Sequence, residues 1–352
     1  MPPGHLLVTG AAGFIGSSFV RIARSAGYKI IILDALTYAG HLENLSEILD
    51  GDQVVLVQGD IADPVLVPSL LKKHSITALL NFAAETHVDR SITGPAAFIQ
   101  TNIVGTYNLL SSALSYRDSL GSPKLKEDFR YLQVSTDEVY GALSETDPKF
   151  TETTPMAPNS PYSASKASGD LLVRAWFHTY GLPVITTNTS NNYGPRQYPE
   201  KLIPHMIACA LSGGRLPVYG NGKNIRDWIH VDDHAAGILL ALEKGKPGDT
   251  YLFGGNSERQ NLDVVRSICK ELDVRSPRAD KKSYAAQIEF VTDRLGHDWR
   301  YAIDDSRAQK ELGFKRKYEF ESGLSQTVQW YLDNSAWSKA VTFNTQGAGK
   351  KS

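Results

Sequence analysis

The chain has 352 residues, with 37 Lys+Arg against 38 Asp+Glu and 41% hydrophobic residues, a globular composition without the overall basic surface that would argue for nucleic acid. Its two cysteines, Cys209 and Cys269, lie far apart without metal-ligand spacing, so neither a disulfide scaffold nor a Cys-based zinc site is expected, and no metal is assigned. The start lacks the regions of a signal peptide and no run of about 18 apolar residues occurs, so the expectation is a cytoplasmic protein with no membrane partner.

Short apolar runs alternate with amphipathic segments through the first half, the pattern of βαβ units on a parallel sheet. Strands are predicted at His5–Thr9, Lys29–Leu33, Val54–Gln58, Ala78–Phe82, Arg130–Ser135 and Pro183–Asn188. Helices are predicted at Ile15–Ala26, Pro64–His74, Pro95–Tyr116 and Ser163–Tyr180. The unbroken run Ile30-Ile31-Ile32-Leu33 suits a sheet buried on both faces. With each strand after the first reached through a helical crossover, the fold class is α/β, a doubly wound parallel Rossmann sheet. After Asn188 the loops lengthen, and helices are predicted at Ile203–Leu211, Val231–Glu243, Leu262–Leu272, Ser306–Leu312 and Phe320–Leu332. Residues 1–188 therefore form a dinucleotide domain to which 231–256 return. Residues 189–230 and 257–343 form a smaller C-terminal substrate-binding lobe, and the Gly- and Lys-rich stretch 344–352 is expected to be disordered.

Gly10-Ala11-Ala12-Gly13-Phe14-Ile15-Gly16 follows a strand and opens a helix. Such a loop brings a pyrophosphate to the backbone at the positive end of the helix dipole, with one role for each glycine. A βα turn without ligand is the plainer alternative. Asp34 ends the second strand, where a carboxylate accepts hydrogen bonds from both ribose hydroxyls and repels a 2′-phosphate, so NAD is expected in preference to NADP. A turn cap is the alternative for Asp34. Asp60-Ile61 sits where an adenine-binding pair belongs, and Phe82-Ala83-Ala84-Glu85 ends the fourth strand with small residues beside the cofactor path. Tyr162 and Lys166 stand four residues apart on one helix face. A nearby ammonium favours the phenolate and makes Tyr162 a base toward a hydroxyl.

With the glycine loop and the Tyr162…Lys166 pair, the sequence resembles the extended short-chain dehydrogenase/reductase family. Ser135-Thr136-Asp137-Glu138-Val139-Tyr140-Gly141 aligns Thr136 with that family's hydroxyl, with Ser135 as the alternative. Two adjacent carboxylates, Asp137-Glu138, supply an acid and a base for a further reaction if a desolvated cleft holds them in different protonation states; a solvated acidic turn is the plainer reading. Within the family the chain looks like the dTDP-glucose 4,6-dehydratases. The likeness runs nearly end to end, through Thr37-Tyr38-Ala39-Gly40, Glu85-Thr86-His87-Val88-Asp89-Arg90-Ser91, Asn191-Asn192-Tyr193-Gly194-Pro195, Glu200-Lys201-Leu202-Ile203-Pro204, Arg226-Asp227-Trp228 and Asp293-Arg294-Leu295-Gly296-His297. Thr86, Arg196 and Leu295 depart from the usual residues.

The resemblance implies NAD-dependent oxidation at C4 of a nucleoside diphosphate hexose, dTDP-glucose favoured, then loss of water across C5 and C6 and reduction at C6. Thr136, Asp137, Glu138, Tyr162 and Lys166 are the implied catalytic group. Ala35, Leu36, Thr37, Thr101 and Asn192 join the cofactor residues. Thr86, Asn191, Lys201, Leu202, Pro217, Tyr219, Arg226, Asn261, Arg294 and His297 join Thr136 as substrate residues, with Lys201, Arg226 and Arg294 opposite the diphosphate. A homodimer through helices Pro95–Tyr116 and Ser163–Tyr180 is also implied. The rival readings are a dehydratase for UDP-glucose, an epimerase or decarboxylase on the same fold, and a non-catalytic NAD sensor.

Overall fold

The structure, a computed structural model, describes residues 4–293 and 296–348. In chain order the strands are β1 (His5–Thr9), β2 (Lys29–Asp34), β3 (Val54–Gln58), β4 (Ala78–Asn81), β5 (Arg130–Thr136), β6 (Val184–Thr189), β7 (Asn191–Tyr193), β8 (Leu216–Tyr219), β9 (Ile225–His230), β10 (Thr250–Phe253), β11 (Glu258–Gln260) and β12 (Ile288–Val291). Seven of them form one parallel sheet in the order β3-β2-β1-β4-β5-β6-β10. The chain runs outward from β1 to β3 and then crosses back to β4, so a crevice opens at the carboxyl ends of β1 and β4.

Alternation along each strand divides the apolar side chains between two cores. Leu6, Val8, Ile30 and Ile32 enter the layer formed with helices Phe14–Ser25 and Val231–Lys244. Leu7, Ile31, Leu33 and Leu79 enter the layer on the other side, with Leu109, Leu110 and Val173. A strand with an apolar residue at every position is stable only between two such layers.

The second lobe holds a three-stranded sheet, β11-β9-β7, and a two-stranded one, β12-β8. Helices Leu202–Leu211, Asn261–Arg275 and Phe320–Asp333 pack around Tyr193, Met206, Trp228, Ile268 and Val328.

Strands β7–β12 and the short helices Val88–Thr93 and Pro123–Asp128 are not among the predicted elements, and four further details differ from the sequence expectations. The β2–β3 connection carries a single turn, Leu42–Asn44, instead of a crossover helix. The predicted helix Pro95–Tyr116 runs on to Ser119 and widens into a π-helix over Ile99–Gly105. Segment Ser306–Leu312 also closes in a π turn, at Ala308–Leu312. Helix Ser335–Ala348 carries regular structure into the stretch expected to be disordered. Among the described residues no helix is long and apolar enough to cross a membrane, and no cluster of His, Cys, Asp or Glu is built to hold a metal ion.

Candidate active site

The crevice at the switch point continues into a cleft between the sheet and the second lobe. Gly10 adopts φ +68, and a Cβ there would lie 2.5 Å from Ala83 N, at the end of β4. A Cβ on Gly16 would meet Gly10 O at 2.6 Å, which fixes how closely helix Phe14–Ser25 sits on its own loop. At Gly13 only Gly10 O, at 3.2 Å, lies near the added atom, and the residue lines the cleft. The loop thus presents bare backbone where a helix begins, a cradle suited to a diphosphate.

Asp34 closes β2 and is 7% exposed. Its Oδ2 accepts Ala12 N–H at 2.8 Å, and its Oδ1 accepts Leu36 N–H at 2.8 Å. Both readings of Asp34 therefore hold in geometry, since it caps the turn and also lines the cleft. Ala35, Thr37, Asp60, Ile61 and Phe82 through Thr86 line the same cleft, as do Phe14, Ile15 and Thr101. Leu36 does not, because at φ +52 its side chain packs against the core.

Helix Pro161–Tyr180 opens with a capping box between Ser160 and Ser163, which places Tyr162 in its first turn. Tyr162 and Lys166 line the cleft with Thr136, Asp137 and Glu138. Thr136 ends β5 and caps the turn Asp137–Tyr140: its Oγ1 accepts Glu138 N–H at 3.2 Å and donates to Asp137 Oδ1 at 3.3 Å.

Asp137 is 2% exposed, and its Oδ2 has no hydrogen-bond partner among the described residues. Burial, then the charges of Glu138 and Asp227, push this carboxyl well above the usual carboxylate range; Arg226 and the Thr136 hydroxyl pull the other way.

For Tyr162 the structure corrects the simple electrostatic expectation. Burial and the charges of Glu138 and Asp137 push the phenol well above its ordinary value, with the Thr136 hydroxyl opposing them. The Lys166 ammonium donates to Val134 O at 2.8 Å, and the charge it faces is Asp170. In the protein alone the phenol is held protonated.

Several implied substrate residues lie elsewhere. Arg226, 5% exposed, donates to the carbonyls of Ile225, Asp298 and Trp299 and covers the Tyr301 ring at 4.3 Å. It braces the 298–300 segment, and its charge reaches the Asp137 carboxyl of the cleft. Leu202 packs on the lobe core. Pro217 lines a separate shallow depression with His205 and Cys209. Tyr219 is exposed beside His297, whose Nδ1 meets Asp293 Oδ1 at 2.6 Å. Asn261 heads helix Asn261–Arg275 with a buried Oδ1 that has no partner among the described residues. Asn191 and Lys201 do line the cleft, with Lys201 Nζ donating to Thr86 O at 3.0 Å. Asn192 lines it too, but its side chain is committed to Thr189, Ser190 and His234. Arg294 lies outside the described residues.

The matching sequence profile, described as GDP-mannose 4,6 dehydratase, spans residues 7–327. A dTDP-glucose 4,6-dehydratase of Xanthomonas campestris pv. campestris is 58% identical over 335 residues, 95% of each chain. The chain belongs to the dTDP-glucose 4,6-dehydratase family. Among solved members, the enzyme of Bacillus anthracis str. Ames in complex with NAD is 46% identical, with a TM-score of 0.84, covering 96% of this chain and 99% of that one. The Streptomyces venezuelae enzyme, with NAD and TYD bound, is 42% identical at a TM-score of 0.86 with the same coverage.

In this member of the family, four further residues shape the site. Asn102 sits on the π-helix; its Oδ1 accepts Glu85 N–H at 2.9 Å, and its Nδ2 donates to Glu85 O and to Ser165 Oγ. It ties the end of β4 to the helix carrying Tyr162, and the wide turn gives it that reach. Asp170, one turn beyond Lys166, accepts Ser135 Oγ at 2.6 Å and is pushed up to about 6 by burial, with Lys166 opposing. Tyr301 feels the charge of Glu138 and donates to Asp298. Glu200 lines the cleft with both carboxylate oxygens buried and lacking hydrogen-bond partners among the described residues, 3.7 Å from both His87 Nε2 and Arg90. Of these, the spacing Tyr162, Lys166, Asp170 was visible in the sequence as one helix face. The others required the fold.

Proposed function

We propose that this protein converts dTDP-glucose to dTDP-4-keto-6-deoxyglucose and water. The observation that carries this reading is the placement of Asp137: a buried carboxyl with an unpartnered Oδ2 among the described residues, pushed well above the usual carboxylate range by burial, adjacent in sequence to a second carboxylate and lining one cleft with the Thr136 hydroxyl and the Tyr162 phenol. An epimerase has no use for such an acid.

Thr136 and Tyr162 hold the oxygen at C4, and Tyr162 accepts its proton. When bound, NAD supplies the two-electron acceptor and donor, together with a fixed positive charge that favours the phenolate. The ketone at C4 acidifies the proton at C5, because the carbanion delocalises into the carbonyl. Glu138 removes that proton, and Asp137 protonates the departing hydroxyl at C6, so water leaves with the acid's proton and C5=C6 forms; the product is completed when C6 receives the hydride taken from C4 and a proton is restored at C5. Asp34, with its oxygens turned toward the N–H groups of Ala12 and Leu36, retains lone pairs for ribose hydroxyls and selects against a 2′-phosphate. Lys201 and Asn191 serve the sugar nucleotide.

The working unit is a homodimer. Tyr107 (52% exposed) on helix Thr106–Ser119, Ile99 on the π-helix before it, and Leu171 (55%) on helix Pro161–Tyr180 are large apolar side chains left uncovered by the chain itself. A Tyr107→Asp, Leu171→Asp double variant is expected to run as a monomer in light scattering. The free cysteines Cys209 and Cys269 suit a cytoplasmic enzyme.

Incubation with dTDP-glucose or UDP-glucose, followed by alkali, tests the activity through the near-ultraviolet absorbance of 4-keto-6-deoxy sugars. Absorbance from dTDP-glucose at a higher kcat/KM than from UDP-glucose is expected. Absorbance from neither removes the dehydratase reading, and a preference for UDP-glucose moves the substrate to uridine.

A further inference from the structure

We propose that Asn44 is a positioning residue that ties the C-terminal helix to the glycine loop and thereby sets how long the dinucleotide is retained. The inference rests on the reading above that NAD binds at that loop.

Asn44 ends the single turn between β2 and β3 and is 1% exposed. Its Nδ2 donates to Ala12 O at 2.8 Å, and its Oδ1 accepts Trp337 Nε1–H at 3.0 Å. One amide therefore joins the second and last portions of the chain. Ala12 O also accepts His41 N–H at 3.0 Å, while Ala12 N–H donates to Asp34 Oδ2. The peptide is planar, so fixing the Ala12 carbonyl also aims the N–H of Gly13, which closes on Gly10 O at 3.2 Å. The backbone presented to a diphosphate is thus held by a series of contacts that begins on the last helix: Trp337, Asn44, Ala12, Asp34.

A second strut supports the same segment. Trp337 packs against Trp330 at 5.1 Å and Tyr331 at 6.1 Å. Arg196, at φ +69, lies over the Trp330 ring at 5.3 Å and pairs with Glu47 at 3.0 Å. Tyr331 OH donates to the carbonyl of Gln197, a residue of the cleft wall. The aromatic cluster of the second lobe thus presses on the segment after β2 at two points, Asn44 and Glu47. Release of the dinucleotide requires the loop to loosen, and these contacts oppose it. A cofactor that ends every cycle in its starting state gains from such retention.

The test measures the rate at which NAD leaves the loaded full-length protein, by rapid gel filtration and quantification of what remains bound. Asn44→Ala is expected to release NAD about fivefold to tenfold faster, the scale of one buried hydrogen bond. Trp337→Phe, which keeps the ring packing and loses only the N–H, is expected to release it about threefold faster. The double variant should match Asn44→Ala alone, because contacts in series do not add. Turnover under saturating NAD should stay within about twofold of wild type in both single variants. Unchanged release in Trp337→Phe while wild type retains NAD overturns the tether, as do effects that add in the double variant. Failure of the wild-type protein itself to retain NAD overturns the cofactor reading and this inference with it.

Discussion

Asp34 and Asp137 are buried to nearly the same degree at the carboxyl ends of neighbouring parts of one sheet, yet their surroundings differ. Burial pushes both carboxyls up, but Asp34 accepts a backbone N–H on each oxygen, and these bonds oppose the shift. Asp137 has Oδ2 without a partner among the described residues and the charges of Glu138 and Asp227 beside it. Hydrogen bonds favour the anion at Asp34, whereas neighbouring negative charge adds to burial in favouring the neutral acid at Asp137. Burial alone does not decide which; the donors and charges within reach do. The dinucleotide end of the cleft is thereby settled before any ligand arrives. The reaction end holds polar atoms that substrate hydroxyls can satisfy, Glu200 among them.

The largest effect that would sharpen this contrast belongs to Tyr162. Tyr162→Phe removes the proton acceptor at almost constant volume, and turnover should fall about 10²-fold or more. Near-normal turnover would remove Tyr162 from the oxidation step.

Next come the two carboxyl groups of the elimination, each worth roughly 10²-fold in turnover as a general acid or base. Glu138→Gln should block exchange of the C5 proton with solvent deuterium, whereas Asp137→Asn should permit exchange while slowing loss of the hydroxyl. Exchange kept in Glu138→Gln and lost in Asp137→Asn would reverse the two roles.

A smaller change is expected at the other end. Asp34→Asn keeps an acceptor for one N–H but replaces the anion, and NAD affinity should weaken about tenfold, the scale of a charged hydrogen bond made neutral. NADP affinity should rise relative to NAD, which competition binding would measure. Equal weakening of both would mean that Asp34 acts only as a cap on the turn.

The smallest effect concerns stability. Asp137 holds its proton in the folded protein at a pH where the unfolded chain has released it, so this residue costs stability as pH rises above about 4. Asn carries no such titration. Asp137→Asn should therefore raise the Tm by about 2 °C at neutral pH, with the difference closing in acid. A lower Tm at neutral pH would contradict the protonated assignment.

Much of the cofactor end could be read from local pattern. The run Ile30–Leu33 has an apolar side chain at every position, and only a strand between two layers uses all of them. Glycines at 10, 13 and 16 after a strand, and Tyr162 with Lys166 at helical spacing, are short-range relations that survive folding unchanged. Two local readings were incomplete for a common reason. Segment 95–116 has helical composition, but Gly105 packs under Ile61 and the backbone widens into a π-helix that delivers Asn102 to Glu85. The run Arg226-Asp227-Trp228 was distinctive enough to suggest a ligand contact; in the fold Arg226 also donates to the carbonyls of Ile225, Asp298 and Trp299, partners its local sequence does not announce.

Sequence by itself determined the first six strands, the glycine cradle, the acidic end of β2 and the helical spacing of Tyr162 and Lys166, because each depends on neighbours within a turn or a strand. Tertiary structure alone decided the upward shift of the Asp137 carboxyl, the direction of the Lys166 ammonium toward Val134 and the commitment of Asn192 to the protein interior. It alone brought Trp337 to Asn44. Charge state and hydrogen-bond partners are set by distance and dielectric, and the groups that set them here, Asp227, Val134, His234 and Trp337, reach those side chains only when the chain folds.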